Sequence, residues 1–334
     1  MPRTATLFSR ALRAAARWAI AGAVVAAGPA VAQGPSLTLA VSKSPLSLPL
    51  YLAESEGFFA AEGLSVRLVD CVGGHRCLRL ALDGQADVAT AGDTPIVFNS
   101  FQTSDFVVLA TLANTVDDLK LYVRTSAGIA RARDLAGKKV GAVVGAASQY
   151  FLDSFLMIHG VDPRSVEIVP MQPEAMLDAL KARQVDAVSV WEPYGYRLAR
   201  ALKDAVATLP NTGVYTGTFN LVAHRRLAGP RDADLVRLLR AVAKAEDLIR
   251  ADPARAKAVL RERLATDDEF CRWVWPGMNY RLSLDQSLLK TLESEARWAL
   301  REGHVSGRAS PNFLTFLHRA PLLKVLPDAV GISR

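Results

Sequence analysis

Two cysteines stand six residues apart in the stretch DCVGGHRC, Asp70 to Cys77, with two glycines and a histidine between them. Three chemistries fit those residue types. Cys71, His75 and Cys77 are donors that zinc accepts, but a zinc centre needs a fourth ligand or an open position, and no further Cys or His recurs nearby. A catalytic thiol wants a base and a reducing compartment, and neither is evident. A disulfide is the third option, and it depends on where the chain works. Gly73 and Gly74 let a ligand approach the backbone, which makes His75 a candidate contact of the same loop.

Four other stretches set small or polar residues at the start of an apolar run. In SKSPLSLP, Ser44 and Ser47 either donate to a ligand or cap a helix. In GDTP, Asp93 takes an amino group or holds its own loop, while Thr94 contacts a ligand or caps a helix whose first position is Pro95. In VVGAASQY, the small residues Gly145, Ala146 and Ala147 leave backbone N–H groups open at a positive helix end, with Ser148 as ligand contact or cap. That arrangement suits a sulfonate, carboxylate or phosphate. In WEPY, Trp191 stacks on a ring or an alkyl chain and Glu192 accepts from an amine or aminopyrimidine. The plainer alternative is a core Trp followed by a Glu in a helical first turn.

The elements that must position these stretches alternate between short β-like runs and amphipathic helical runs, the pattern of an α/β protein with largely parallel sheets. Strands are expected at 37–42, 64–71, 86–92 and 106–112, then at 120–125, 138–145, 166–171, 185–191 and 217–224. A helix is expected over 48–63, another over 148–160 capped by Ser148, and the chain reads as helical almost to its end after 224. Residues 81–93 and 179–193 echo each other: an Ala-Leu pair, Gln-x-Asp, then a buried strand ending in a polar site. Two similar lobes would give such an echo, each presenting strand ends to a shared cleft.

Four arginines without an acidic residue precede the run WAIAGAVVAAGPAVA, which ends at Ala32. This is the three-part pattern of a secretory signal peptide, with cleavage expected after Ala32. The whole chain carries 40 basic and 33 acidic residues; without the leader's four arginines, 36 against 33 leaves about +3. So mild a surplus, with no basic cluster, argues against nucleic-acid binding. In an exported protein a Cys71–Cys77 disulfide becomes the favoured reading, closing a small loop worth about 2 kcal/mol by chain entropy.

Taken in order, LPLYLAESEGFFAAEGLSVRLVD, GG…ALDGQADVATAG, DLAGKKVGAVVGAASQYFLDSFLMIHGVDPRSVEIV and ALKARQVDAVSVWEPY resemble the periplasmic substrate-binding proteins of ABC importers. The group is the nitrate/sulfonate/taurine family, related to thiamine-pyrimidine-precursor binding proteins; the likeness covers roughly residues 37–265. It implies a type II periplasmic-binding fold: two α/β lobes, each a mostly parallel sheet flanked by helices, a two-strand hinge and a helical C-terminal part. Lobe one would be 37–117 with 217–334, lobe two 118–216, with crossings near 114–118 and 214–219. It implies a monomeric receptor that binds a small molecule without catalysis, cofactor or metal and delivers it to a membrane permease and ATPase. It also points to the Gly145–Ser148 loop and the Trp191–Glu192 segment as ligand contacts. An anion-ready helix end together with Glu192 favours a sulfonate-type anion or zwitterion; an aminopyrimidine, or service as the ligand-sensing partner of a membrane signalling protein, is the alternative. The pyrimidine-synthase branch of the fold carries a cysteine-rich motif that this chain lacks.

Overall fold

Eleven strands form two separate sheets in the computed structural model, which describes residues 35–211 and 213–332. The expected leader and its cleavage point lie outside the described residues. The strands are β1 (Ser36–Ser42), β2 (Ser65–Cys71), β3 (Val88–Gly92), β4 (Phe106–Thr115), β5 (Lys120–Arg124), β6 (Lys139–Ala142), β7 (Glu167–Pro170), β8 (Ala187–Val190), β9 (Val206–Thr208), β10 (Gly217–His224) and β11 (Met278–Ser283). The first sheet has the order β11-β4-β10-β3-β1-β2 and the second β7-β6-β8-β5-β9.

The sheets are mixed, not mostly parallel as expected. β1 runs parallel to β2 and β3, and β6 to β7 and β8. β10 is antiparallel to β3 and β4, and β5 to β8 and β9. The reason lies in the connections. The chain leaves the first sheet along β4 and comes back along β10, its neighbour, so the two must run in opposite directions. β5 and β9 repeat this in the second sheet. The chain passes between the sheets at 116–119 and again between the end of β9 and the start of β10.

Each sheet has its own core. Leu37, Leu39, Val108, Leu221 and the inner faces of the helices Leu48–Ser55, Asp232–Ala251 and Gln286–Arg301 pack together on the first. Leu121, Val140, Val188, Phe151 and Phe155 form the second. The helix expected over 48–63 is two pieces, Leu48–Ser55 and Phe58–Ala61, broken at Gly57.

The segment after 224 is not helical throughout. β11 pairs antiparallel with β4 at the edge of the first sheet. Its alternation, with Tyr280 and Leu282 buried and Asn279 and Arg281 exposed, and the Pro276–Gly277 turn before it are the sequence signals of a strand. Farther on, Phe316 packs on Phe106 with ring centroids 4.9 Å apart. The helix Gln286–Arg301 also reaches the helix Ala147–Ile158 beside the second sheet. There the Trp298 indole donates to Asp153 at 3.1 Å, with His304 3.4 Å from the same oxygen. Tyr150 and Phe98 flank the Trp298 ring at 4.9 and 6.0 Å.

Phe316 is 4 % exposed, so the C-terminal segment completes the first core. Phe316→Ala should cost about 3–5 kcal/mol, as for other buried Phe truncations. Urea denaturation measures this; a loss below about 1 kcal/mol would put the segment outside that core.

Candidate functional site

Three helices of eight or more residues begin at one cleft between the sheets: Gly74–Leu82, Asp93–Ser100 and Ala147–Ile158. Each follows a strand end (β2, β3 and β6) and brings a positive dipole end with it, although at the second the Thr94 N–H is taken by Asp93. The cleft measures about 670 Å³, part of it open to solvent. Gly73, Gly74 and His75, Asp93, Ala146 and Ala147, Ser44 and Trp191 all line it, so the structure brings together eight of the residues singled out from sequence.

The β2 loop is tightly built. Gly73 has φ +74°, and a Cβ on Gly74 would lie 2.7 Å from the Gly92 nitrogen and 2.9 Å from the Ala91 Cα. Those are backbone atoms that cannot yield, so the loop lies flat on the end of β3 only because position 74 is glycine. His75 meets Trp191 edge-on at 6.2 Å. Burial, and then the charge of Arg76, lower the pKa of its imidazole. Cys71 and Cys77 face each other across the loop with a Cα separation of 5.6 Å, a span that suits a disulfide.

Asp93 lines the cleft fully buried, and the protein itself saturates it. One oxygen accepts from the Tyr215 hydroxyl and from the Thr94 N–H at 2.9 Å; the other accepts from the Thr218 N–H at 2.9 Å and its hydroxyl at 3.1 Å. Burial pushes its carboxyl up and these donors pull it down, with burial the larger effect. Asp93 therefore ties the start of its helix to the returning chain at Tyr215 and Thr218.

Five residues read from sequence as site candidates do not line the cleft. Ser47 donates to the Ser42 carbonyl at 2.8 Å. Thr94 is buried in the first turn of its helix, where Gly92 takes the N-cap position expected for Thr94. The Gly145 N–H is turned to the Gln149 side chain at 2.9 Å. Ser148 is fully buried and is not the cap, a place taken by Ala146. Its hydroxyl accepts from the Val143 N–H at 3.1 Å and donates to the Ser189 carbonyl at 2.8 Å, and Ser189 returns a bond to the Ser148 carbonyl. That reciprocal pair ties the helix start to β8. Ser44 lines the cleft and also accepts from the Leu46 N–H at 3.2 Å.

Glu192 is the fifth. It is 1 % exposed and turned away from the cleft. Its carboxylate accepts from the Trp273 indole at 2.7 Å, the Tyr196 N–H at 2.8 Å and the Lys120 ammonium at 3.4 Å. Trp273, read from sequence as core or lobe surface, is thus the partner of a buried charge.

Sequence reasoning missed residues on and beside the crossing segments: Asp118, Tyr215 and, at the start of β10, Thr218 line the cleft. The available signal was the pair Asp117-Asp118 with Lys120 at the head of the apolar run LKLYV. Asp118 is 7 % exposed. Burial, with the Glu192 charge behind it, pushes its carboxyl up to about 7 against the pull of Lys120.

A family model described as NMT1/THI5 like matches residues 44–256, more than half of the chain, and the protein belongs to that family. A Bacillus subtilis (strain 168) protein provisionally named for binding aliphatic sulfonates is 26 % identical over 59 % of this chain and 60 % of its own. The taurine-binding periplasmic protein of Escherichia coli (strain K12) is 26 % identical over 48 % of this chain and 50 % of its own. The chain thus spans between half and three fifths of these relatives. Among solved structures, the alkanesulfonate-binding protein SsuA of Xanthomonas axonopodis pv. citri, bound to MOPS, superposes with a TM-score of 0.73 at 20 % identity, covering 83 % of this chain and 96 % of that one. The fold is therefore the two-lobe α/β fold of periplasmic binding proteins. A desulfurization enzyme shares it.

The raised carboxyls make stability fall with pH. Asp118, and Glu246 on the helix Asp232–Ala251, keep their protons to about 7 in the folded chain, while unfolded carboxyls lose theirs near 4. Between those values the folded state binds more protons, so their contribution is complete below about pH 4 and is lost as pH rises through 7. Urea denaturation at pH 5 and pH 8 should give the lower stability at pH 8; the opposite order would contradict these environments.

Proposed function

We propose that this protein is an extracytoplasmic solute-binding receptor. In this reading it captures a small sulfonate-type organic anion or zwitterion between two lobes and hands it, as a monomer and without catalysis, to the permease and ATPase of an ABC importer. One observation carries the ligand class. Three helix starts converge on a cleft whose lining includes no lysine or arginine, so an anionic head would be held by amide N–H groups, as helix N-termini hold such groups elsewhere. Trp191 and Phe151 offer apolar surface to an alkyl chain. Relatives named for sulfonate and taurine binding support the same class. An aminopyrimidine reading leans on Glu192, whose oxygens are already engaged.

The lobes would be 37–117 with 217–334, and 118–216, closing about the crossings at 116–119 and 209–216. Export would follow from the arginine-rich leader, removed after Ala32. In the oxidising compartment beyond, Cys71 and Cys77 would be bonded, pinning the Gly73–His75 loop, with Cys271 as the buried free thiol.

A thermal-shift screen of alkanesulfonates, aminosulfonates, pyrimidines and inorganic anions tests the ligand class. A ligand at a hundredfold excess over its Kd adds about 2.7 kcal/mol to the folded state, so a true ligand raises Tm by several degrees. No rise with any sulfonate would remove the proposal. Labelled uptake in a deletion strain separates import from sensing: loss of uptake supports import, whereas intact uptake with altered gene expression supports a sensor. For the loop, thiol titration of denatured protein purified from the exported fraction should find one thiol before reduction and three after; three before reduction would refute the bond.

A further inference from the structure

We propose that Asp118 binds a cationic or hydrogen-bond-donating nitrogen of the ligand, so that the cleft selects aminosulfonate zwitterions over alkanesulfonates of equal length. The proposal rests on the sulfonate reading above and adds the residue that would set its specificity.

Asp93 and Asp118 are the charged side chains among the lining residues, and they differ in one respect. Asp93 takes four hydrogen bonds from Tyr215, Thr94 and Thr218. Asp118 is as enclosed as a core residue, at 7 % exposure, yet its Oδ1 has no partner among the described residues. A buried carboxylate oxygen without a donor is costly, and the groups around it do not relieve that cost. Asp117 and Glu192 are acids. Lys120, the nearby cation, is committed to both of them, at 3.2 Å from the Asp117 carboxylate and 3.4 Å from that of Glu192. Tyr122 and Tyr280 stand on the neighbouring strands, and the Tyr280 hydroxyl donates to the Pro45 carbonyl at 3.0 Å. Three carboxyls thus share one ammonium at the crossing; the Glu192 N–H reaches the Asp118 carboxyl, but its Oδ1 is left without a donor at the border of the cleft.

The two kinds of recognition lie on different parts of the cleft. Amide-rich helix starts come from the strand ends of both sheets, and Asp118 comes from the crossing segment between β4 and β5. A ligand with an anion at one end and an ammonium at the other meets both. A ligand ending in a methyl group sets apolar carbon against an unpaired carboxyl, which is the kind of mismatch that discriminates most strongly.

Taurine and 1-propanesulfonate test this, because they differ by an ammonium in place of a methyl group; homotaurine and 1-butanesulfonate repeat the comparison one carbon longer. Isothermal titration of the full mature chain should show tenfold or tighter binding of the amino compound in at least one pair. Asp118→Asn should weaken that amino compound at least tenfold and leave its methyl counterpart within about threefold. Equal wild-type affinities within both pairs, or an Asp118→Asn effect equal on both members, overturns the assignment while leaving sulfonate binding intact. Failure of the wild type to bind any of the four overturns both readings. The wild-type comparison stands by itself if the variant does not fold.

Discussion

A carboxylate removed from water has to be given donors wherever the chain can bring them, and Glu192 draws its donors from three separate stretches. Lys120 comes from the first strand after the crossing, Trp273 from the long segment that follows β10, and the Tyr196 N–H from the helix that Glu192 precedes. Meeting that demand fixes the end of β8 against both the crossing and the C-terminal segment. It also settles its neighbour: with Glu192 turned inward to its partners, Trp191 is left to line the cleft beside His75. The buried ion pair therefore positions the cleft wall without belonging to it.

The cleft that results is electrically polar. Helix starts from both sheets give one set of walls a partial positive character without any basic side chain, while the crossing contributes an acid whose own environment is already crowded with negative charge. Amide donors carried on helix ends are held by the helices themselves and lose little freedom when an anion arrives, in contrast to long lysine or arginine side chains. Behind this surface a second carboxyl, Glu295, is fully buried near Asp93 and is pushed well above the usual carboxylate range by burial and by the Asp93 charge.

Much of this was legible in the chain. Nine of the eleven described strands, all but the three-residue β9 and β11, and the strand-to-helix loops follow from periodicity, and eight of thirteen ligand-site candidates line the cleft. The misses share a cause. Ser47, Ser148 and Glu192 are polar residues at helix starts, and sequence cannot tell a side chain that faces a ligand from one spent on the strand next door. Asp118 was overlooked for the converse reason: a crossing segment has no periodicity, and its place in the cleft comes from the two sheets meeting there. The mixed sheets escaped because strand direction is set by which neighbour the returning chain chooses, a long-range fact. β11 was readable from its alternation and the Pro276–Gly277 turn, but helices on either side masked so short a signal.

Trp298 sits where the C-terminal helix meets the helix Ala147–Ile158, its indole bonded to Asp153 and enclosed by Tyr150 and Phe98, and Trp191 lies in the cleft wall. Of the five tryptophans in the chain, these two thus have different duties. A solute quencher or a ligand that touches the cleft acts on Trp191, whereas any separation of the two helices exposes Trp298 to water and strips it of its carboxylate partner. With the other tryptophans, Trp273 and Trp275 among them, replaced by phenylalanine, keeping one of these two would give an optical signal that follows either the cleft or the helix contact, with no label attached.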